Sequence, residues 1–413
     1  MPETLTPKKN KVLVIAYKML NSDPRIVREI NSLLDNGYAV DHICVKPKRN
    51  TVLEPLPQGL QVHPISVSKK RSSFLRYLIE YCLFFWSVFI KTNLLLRTNR
   101  YSFVQVFTMP EPLVFCALYA KIKRIPIIMD WEDPLYELFL TKFPKIISSF
   151  FKLPILIVEK CSVAFVDHII TPNSAFKNAF VKRGYSASKI DIVLNAPDLR
   201  VFKQALEVKS ENVKPFSLLF NGSIFHRHGL DIGIEAVALA RKRIPEIILT
   251  IIGEGESYYI EYCRQKIKQL DISSSVRWLG YVPIEQMPEK YSTATAVIIP
   301  NRKNPFTSIN FPQRIFECGL LRKPVVVSRL PGIEAYMPGD AVQYVDPDNS
   351  VALSEGIIEL LSNQDKYCQL VERAYQICTT ISWEKEYHLA IGATIKPQDE
   401  EFAEIVVTNT DGM

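Results

Sequence analysis

An arginine and a glutamate three positions apart form the most informative chemical pair in this chain. Arg314 and Glu317 lie in the segment 301–324, NRKNPFTSINFPQRIFECGLLRKP, where a helix is predicted to begin behind a polar turn. Residues at this spacing share a helix face, and a helix start offers unpaired N–H groups to phosphate. A carboxylate accepts hydrogen bonds from sugar hydroxyls, while a guanidinium binds phosphate. The pair suits a nucleotide-sugar site, and a solvated ion pair is the structural alternative.

Composition limits the class of protein. The chain has 413 residues, 47% hydrophobic and 23% charged, which are values typical of a globular protein of two or three domains. Its eight cysteines are scattered singly, so we expect no metal site and a reduced, cytoplasmic compartment. The apolar run Val12–Tyr17 is too short for a signal peptide and is predicted to be the first buried strand.

Short β-branched runs alternate with helical patterns along the chain, which is typical of parallel sheets with crossover helices. A polar, charged segment interrupts this alternation once, and the alternation then restarts. The prediction is an α/β protein with two doubly wound, Rossmann-like domains facing across a cleft. The predicted boundaries are 1–198 for an acceptor domain, 199–215 for a linker, 216–380 for a nucleotide-sugar domain, 381–395 for a helix that crosses back to the first domain, and 396–413 for a loose tail.

The first strand of neither domain is followed by G-x-G-x-x-G. The sequences there are VLVIAYKMLNSDPR and LLFNGSIFHRHGLD. A dehydrogenase with the usual dinucleotide fingerprint is therefore disfavoured. The sequence leaves open a transferase that holds a diphosphate with basic side chains and helix amides.

A basic, aromatic stretch lies in the first half of the chain. Between Lys69 and Arg100 there are seven basic residues and one acid, Glu80, around the apolar sequence SFLRYLIEYCLFFWSVFIKTNLLL. The uninterrupted apolar run is about half of the roughly 20 residues that a spanning helix needs. A core helix with basic ends and a helix lying on an anionic membrane surface, through residues 74–96, both remain open, with a spanning helix disfavoured. Nucleic-acid binding is not expected, because bulky aliphatic residues separate the cations.

The chain resembles the retaining GT-B glycosyltransferases of family 4, which use nucleotide sugars. Five segments carry the resemblance, in this order: DPRIVRE; MPEPLVFCALYAKIKRIPIIMDWEDPLYELF; ITPNSAFKNAFVKRG with VLNAPD; FNGSIFHRHGLDIGIEAV; and LGYVPIEQMPEKYSTATAVIIPNRKNPFTSINFPQRIFE. The resemblance covers nearly the whole chain. It implies the GT-B fold, transfer with retention of configuration, and neither a metal ion nor a cofactor, with a UDP- or GDP-sugar as the donor substrate.

The resemblance also implies a donor-binding set. The turn after the first strand of the second domain, with its basic residues, is expected to hold the diphosphate, and Glu317 to bind the ribose. Ile309 stands eight positions before Glu317, near where the family often has a first glutamate, so Arg314 is expected to complete the site as in a related branch. The expected donor-binding residues are Gly222, Ser223, Arg227, His228, Asn301, Ser308, Asn310, Phe311, Arg314 and Glu317.

The catalytic side departs from the family pattern. Where a histidine commonly follows the strand, this chain has Asp130-Trp131-Glu132-Asp133, and Phe107 occupies a second common histidine position. Glu132 or Asp133, with Asp130 beside them, is expected to stabilise positive charge at the sugar carbon or to orient the acceptor hydroxyl. Asp130 also suits a structural cap at the end of a strand.

Two arginines in the first predicted helix, Arg25 and Arg28, are candidates to hold an acidic acceptor, or else they solvate the helix. The predicted function is transfer of a sugar to a glycan or lipid-linked acceptor in cell-surface polysaccharide or glycoconjugate synthesis, at the inner face of the membrane. The alternative is an inactive GT-B homologue that acts as a binding or scaffold subunit of a membrane glycan-assembly complex. An epimerase or phosphorylase on the same fold is disfavoured.

Overall fold

The computed structural model describes residues 10–19, 23–46, 56–67, 74–143, 145–197 and 215–394. The tail 396–413, and the linker 199–215 apart from Pro215, lie outside these residues. The chain divides into two compact units. Unit 1 comprises the chain up to Leu194, except for Asn173–Ala175, and the residues from Ser382 onward. Unit 2 comprises Asn173–Ala175 and Asn195–Ile381.

Unit 1 contains a seven-stranded sheet in the order β3-β2-β1-β4-β5-β6-β7, with every pair parallel. Its strands are β1 Lys11–Met19, β2 Ala39–Val45, β3 Leu60–Ile65, β4 Phe103–Thr108, β5 Ile127–Trp131, β6 His168–Thr171 and β7 Ile190–Ile192. The central strands β4 and β5 are buried along their whole length, as expected when helices cover both faces of a parallel sheet.

The helices of unit 1 lie on two faces. They are α1 Pro24–Asp35, α2 Phe74–Thr98, α3 Leu118–Ile122, α4 Leu135–Lys142, α5 Lys145–Phe165 and α6 Ser174–Lys182, with a 3₁₀ segment at Glu111–Ala117. The steps from β3 to β4, β4 to β5 and β5 to β6 run one way along the sheet, whereas β1 to β2 runs the other way. Right-handed crossovers therefore place α2, α3 and α5 on the face opposite α1.

Unit 2 contains a six-stranded parallel sheet in the order β10-β9-β8-β11-β12-β13. The strands are β8 Ser217–Asn221, β9 Ile248–Ile252, β10 Val276–Gly280, β11 Ala296–Ile299, β12 Val325–Ser328 and β13 Gln343–Val345. The helices are α7 Leu230–Ala240, α8 Ser257–Gln269, α9 Met287–Thr293, α10 Arg314–Leu320, α11 Pro331–Glu334, α12 Ser350–Ser362 and α13 Gln364–Thr379. The predicted α/β class with two doubly wound sheets is confirmed.

A last helix, α14 Trp383–Thr394, belongs to unit 1 although it follows unit 2 in the chain. Trp383 lies under the guanidinium of Arg28, whose Cζ is 4.5 Å from the ring centroid. The hydroxyl of buried Tyr387 donates to Gln105 Oε1 at 2.7 Å, and Glu386 accepts a hydrogen bond from the Leu194 amide at 2.9 Å. These contacts fix α14 to the sheet and to the end of β7.

Local signals account for individual element boundaries. The Asp23 side chain accepts a hydrogen bond from the Arg25 amide at 3.1 Å, and Pro24 occupies the first helical position, so α1 begins where the sequence predicts. Helix α2 contains the apolar stretch identified in the sequence. Its part Ile79–Thr98 is long and apolar enough to cross a membrane by length and composition, and 33% of the apolar window is buried. Within this part, Glu80 and Lys91 bound the shorter uninterrupted run.

Candidate functional site

The candidate site of unit 2 lies where its strand order reverses. Strands β8 and β11 are neighbours in the sheet, and the chain leaves them in opposite directions, toward β9 and toward β12. Asn221 ends β8, and Pro300 and Asn301 follow β11 directly. In open α/β sheets ligands bind at such a switch point, outside the carboxyl ends of the strands. The donor-binding residues predicted from the sequence are grouped around this point.

Arg314 connects the ends of the two central strands. It is the first residue of α10, and its Nη1 donates to the backbone carbonyl of Asn221 while Nη2 lies 3.4 Å from Asn301 Oδ1. The backbone passes so close that a Cβ on Gly222 would lie 2.0 Å from Arg314 Nη1. Gly222 also has φ of 137°, which L side chains rarely adopt. Only glycine at this position lets the guanidinium reach both strand ends.

Glu317 is held by a buried tyrosine that the sequence analysis did not identify. Its Oε2 accepts a hydrogen bond from the Tyr291 hydroxyl, which in turn accepts one from Asn221 Nδ2 at 2.8 Å. Tyr291 is completely buried, and Asn221 and Glu317 are 8% and 9% exposed. Burial raises the pKa of Glu317, whereas the hydrogen bond from Tyr291 and the charge of Arg314 oppose the rise. One carboxylate oxygen is thus fixed, and the carboxylate keeps a single orientation.

The turn after β8 carries two basic side chains in defined positions. The guanidinium of Arg227 stacks on the rings of Phe225 and Phe306, at 4.5 and 5.5 Å from their centroids. His228 Nδ1 is bonded to the carbonyl oxygen of Ser223, so this nitrogen is the donor and Nε2 is an acceptor in the neutral ring. Burial, with Arg314 and Arg227 nearby, lowers the pKa of His228 to about 3. His228 is therefore neutral near pH 7, and Arg227 carries the permanent charge.

The loop after β11 is tied to helix α7. Arg302 donates to Asp231 Oδ2 at 2.6 Å and to Asp348 Oδ1 at 3.0 Å, and Asn301 is buried. The backbone then turns through hydrogen bonds to the carbonyl of Phe306, which leaves Ser308, Ile309 and Asn310 half-buried. This anchoring holds the loop in one conformation beside the strand ends.

Phe311 takes a different position from its neighbours in that loop. Its side chain is 6% exposed and packs against Phe316 and Tyr336, with ring centroids 4.4 and 5.4 Å away. The helix start behind it is also internally bonded, because the amides of Ile315, Phe316 and Glu317 donate to carbonyls of the preceding turn. The structure therefore gives Phe311 a packing role under α10. Arg314 is the basic side chain of α10 that reaches the strand ends.

Two of the three predicted catalytic residues, Asp130 and Glu132, lie in a buried charge cluster at the end of β5. Arg25 Nη2 lies 3.2 Å from Asp130 Oδ2, and its Nε lies 3.1 Å from Glu132 Oε1 and 3.0 Å from Glu29 Oε1. Burial alone would lower the pKa of Arg25, but the carboxylates Asp130, Glu29 and Glu132 raise it. Burial raises the pKa of Asp130 and of Glu132 well above the usual range, and Arg25 opposes both shifts.

Glu132 is the member of this cluster that retains access to solvent, with 12% of its side chain exposed compared with none for Asp130. Asp133, the next residue, is half-buried. Arg25 and Arg28 are each 1% exposed and donate to the carbonyls of Val193 and Leu194, both at 2.9 Å. Contact with an acceptor would require these arginines to exchange internal partners, so their acceptor role stays a prediction.

The described part of the chain contains no group of three or more His, Cys, Asp and Glu side chains placed to hold a metal ion. Asp346, Pro347 and Asp348 form an Asp-x-Asp sequence, in which Asp348 accepts hydrogen bonds from Arg302 and from the Lys303 amide, both at 3.0 Å. Through these contacts Asp348 anchors the loop after β11.

Comparison with known proteins agrees with this architecture. Residues 202–377 match the family model described as glycosyl transferases group 1. Sucrose-phosphate synthase from Thermosynechococcus elongatus is similar in structure, with a TM-score of 0.70 and 16% identity over 97% of this chain and 100% of that one. HepE of Anabaena, solved in complex with UDP-glucose, gives a TM-score of 0.68 and 16% identity over 96% of this chain and 99% of that one. The chain has the GT-B fold.

The particular relatives found by sequence are also glycosyltransferases by name. D-inositol 3-phosphate glycosyltransferase of Corynebacterium urealyticum is 25% identical over 242 residues, which are 54% of this chain and 56% of that protein. The chain thus spans about half the length of the curated relatives it matches. The matched family segment contains Gly222, Arg227, Arg314 and Glu317, so the site described above lies inside it.

Proposed function

We propose that the protein is a glycosyltransferase that moves a sugar from a UDP- or GDP-sugar to a glycan or lipid-linked acceptor with retention of configuration. Its proposed place is the cytoplasm, at the inner face of a membrane, in the synthesis of cell-surface polysaccharide or glycoconjugates. One observation carries the proposal. Arg314 joins the ends of β8 and β11, and Glu317, three residues later, is fixed by Tyr291 at the same switch point.

The chemistry assigned to unit 2 is binding of the donor and stabilisation of its leaving group. Arg314 and Arg227 supply fixed positive charge for the diphosphate as negative charge develops on it. Glu317, oriented by Tyr291, accepts hydrogen bonds from the ribose hydroxyls. His228 offers Nε2 as an acceptor in its neutral ring, and the negative charge of a bound diphosphate would raise its pKa.

Nucleotide binding tests the donor site directly. Thermal shift and titration calorimetry with UDP, GDP and ADP compare the wild type with Glu317→Ala and Arg314→Ala. A nucleotide at 100 times its Kd stabilises the folded state by about 2.7 kcal/mol, which is easily measured. We expect one nucleotide to stabilise the wild type and neither variant. Arg322→Ala is the matched control, because Arg322 is an exposed arginine of the same unit that pairs with Glu372.

A second candidate function, binding of a sugar nucleotide without turnover, is favoured by the state of unit 1. Glu132 stands where the family that the chain resembles commonly has a histidine. It is paired with Arg25, and burial raises its pKa. Incubation with a labelled nucleotide sugar and membrane extract distinguishes the two functions. Transfer of label, with the anomeric configuration of the product read by NMR, supports the enzyme. Tight donor binding with no transfer or hydrolysis supports the binding protein.

A further inference from the structure

Helix α2 exposes a continuous apolar stripe. Its apolar residues 79, 82, 83, 86, 90 and 94 are exposed, and this spacing of three and four covers one side of the helix through four turns. Trp86 is 59% exposed and Ile90 is 66% exposed. The opposite side packs in the core through Phe84, Val88 and Leu95. The helix is therefore a fixed part of unit 1 that presents apolar side chains outward.

Helix α5 exposes a second stripe of the same kind. Ile146, Phe150, Leu153 and Ile157 recur at intervals of four, three and four residues, and Ile146 and Phe150 are 86% and 78% exposed. Pro154 lies within this helix and is also exposed. Single exposed aliphatic residues are common on protein surfaces, but two parallel stripes with aromatic side chains are not explained by chance exposure.

The two stripes lie on the same face of unit 1. Both helices contact the 3₁₀ segment Glu111–Ala117, and α3 lies between their carboxyl ends. Arg97 of α2 lies 5.5 Å from the ring centroid of Tyr119, and Lys121 of α3 lies 6.0 Å from that of Phe165 in α5. Helix α3 adds exposed Ile122 to the surface. We call the exposed residues of α2, α3 and α5 the apolar face of unit 1.

Positive charge surrounds this apolar face. Exposed or partly exposed cations on or next to these helices are Lys91, Arg97, Arg100, Lys121, Lys123, Arg124, Lys152 and Lys160. Among the described residues of the three helices and the two positions after α5, Asp167 is the exposed acid, and it is paired with Lys121 at 2.5 Å. Glu80 and Glu159 are buried. The face therefore combines apolar side chains with a strong excess of positive charge at its edges.

We propose that the apolar face of unit 1 docks on an anionic phospholipid surface, with the stripes of α2 and α5 at the acyl boundary and the cations at the headgroups. Apolar area and attraction to anionic lipid together set the strength of such binding. A second copy of the chain is a poorer occupant, because a two-fold interface would bring two cation-rich faces together. A spanning arrangement of α2 would remove Phe84 and Val88 from the core. The proposal deepens the membrane location given with the proposed function, and its test is separate from that of donor binding.

Vesicle flotation of the full chain tests the proposal. The probes are vesicles of phosphatidylcholine alone and of phosphatidylcholine mixed with phosphatidylglycerol. We expect the wild type to float with the mixed vesicles and to remain at the bottom with the neutral ones. The double variant Phe150→Gln with Leu153→Gln should bind at least about tenfold more weakly, a factor that corresponds to about 1.4 kcal/mol. Charge reversal at Lys152 and Lys160 should also weaken binding and reduce its salt dependence.

Leu389→Gln is the matched control. Leu389 is 52% exposed, but it lies on α14, which packs with α1 on the opposite face of the sheet. The control should float like the wild type, and all variants should keep the wild-type melting temperature because the changed side chains are exposed. Equal binding to neutral and mixed vesicles, or wild-type flotation of the α5 double variant, would overturn the proposal. Absence of flotation together with a dimer that the α5 substitutions dissociate would assign the face to a second copy.

Discussion

The hydroxyl of Tyr291 gives the sharpest test of the candidate donor site. Tyr291→Phe removes one oxygen that both accepts from Asn221 Nδ2 and donates to Glu317 Oε2, in a position with no solvent exposure. A buried polar group left without its partner costs about 1–3 kcal/mol, and two groups are affected here. We therefore expect the free energy of unfolding to fall by about 2–6 kcal/mol.

The same substitution should weaken nucleotide binding, because Glu317 loses the contact that fixes its carboxylate. We expect a rise in Kd of about tenfold or more, equivalent to about 1.4 kcal/mol. The pH dependence provides a second signature. The Tyr291 hydrogen bond lowers the pKa of Glu317, so its removal raises that pKa. As the pH falls, Glu317 should therefore be protonated, and nucleotide binding lost, at a higher pH in the variant than in the wild type.

Tyr367→Phe is the matched control for these measurements. The Tyr367 hydroxyl also belongs to unit 2 and donates to a backbone carbonyl, that of Thr295, at 3.1 Å, without contacting Glu317. Urea unfolding and titration calorimetry are performed on both variants with the nucleotide that stabilises the wild type. If Tyr291→Phe binds that nucleotide as tightly as Tyr367→Phe does, Tyr291 does not position Glu317 for the ligand, and the assigned role of Glu317 is refuted.

Three further outcomes follow from the structure. Gly222→Ala should reduce nucleotide affinity, measured by calorimetry, and should lower the free energy of unfolding by about 1–3 kcal/mol in urea, because its Cβ would meet Arg314. The control Gly339→Ala has open space around the added Cβ and should change neither quantity. Burial lowers the pKa of His42 to about 4, so the unfolded chain takes up a proton at this position at a higher pH than the folded protein does. The neutral His42 therefore contributes its full stability above the unfolded pKa, and this stability is lost as the pH falls. From about pH 7.5 to about pH 5.5 the wild type should lose about 1.3 kcal/mol more than His42→Gln in urea unfolding; equal losses would contradict the assignment. If Glu132 acts as a carboxylate, the rate of sugar transfer should rise with pH through the raised pKa of Glu132. The pH–rate profile of Glu132→Gln should lack this rise.

Short-range sequence signals account for most of the fold. Runs such as Val325–Ser328 in a chain of alternating periodicity indicate buried parallel strands, and Asp23-Pro24 marks the start of α1. Among the donor-side candidates, Arg314 and Glu317 were indicated by their spacing of three residues, whereas the others, Gly222 included, were implied by the family resemblance. Features that depend on distant contacts were not predictable from spacing.

Two residues illustrate this limit of prediction from the sequence. Tyr291 lies in a short helix and becomes part of the site only because Asn221 and Glu317, from two other segments, converge on its hydroxyl. Arg25 is separated from Asp130 by 105 positions, so their buried ion pair has no signature in the sequence. The exposed side of α5 could not be foreseen either, because an apolar helix looks the same whether its neighbours cover one side or all sides.

Helix α14 has a consequence for how the chain is made. Unit 1 is interrupted by Asn195–Ile381 and is completed by a helix whose Tyr387 bonds to Gln105 in the middle of the sheet. During synthesis at about 5–20 residues per second, the first sheet would wait roughly ten to forty seconds for that helix. During that period the nascent amino-terminal segment has an uncovered surface over α1, while unit 2 has all of its own strands before α14 is translated.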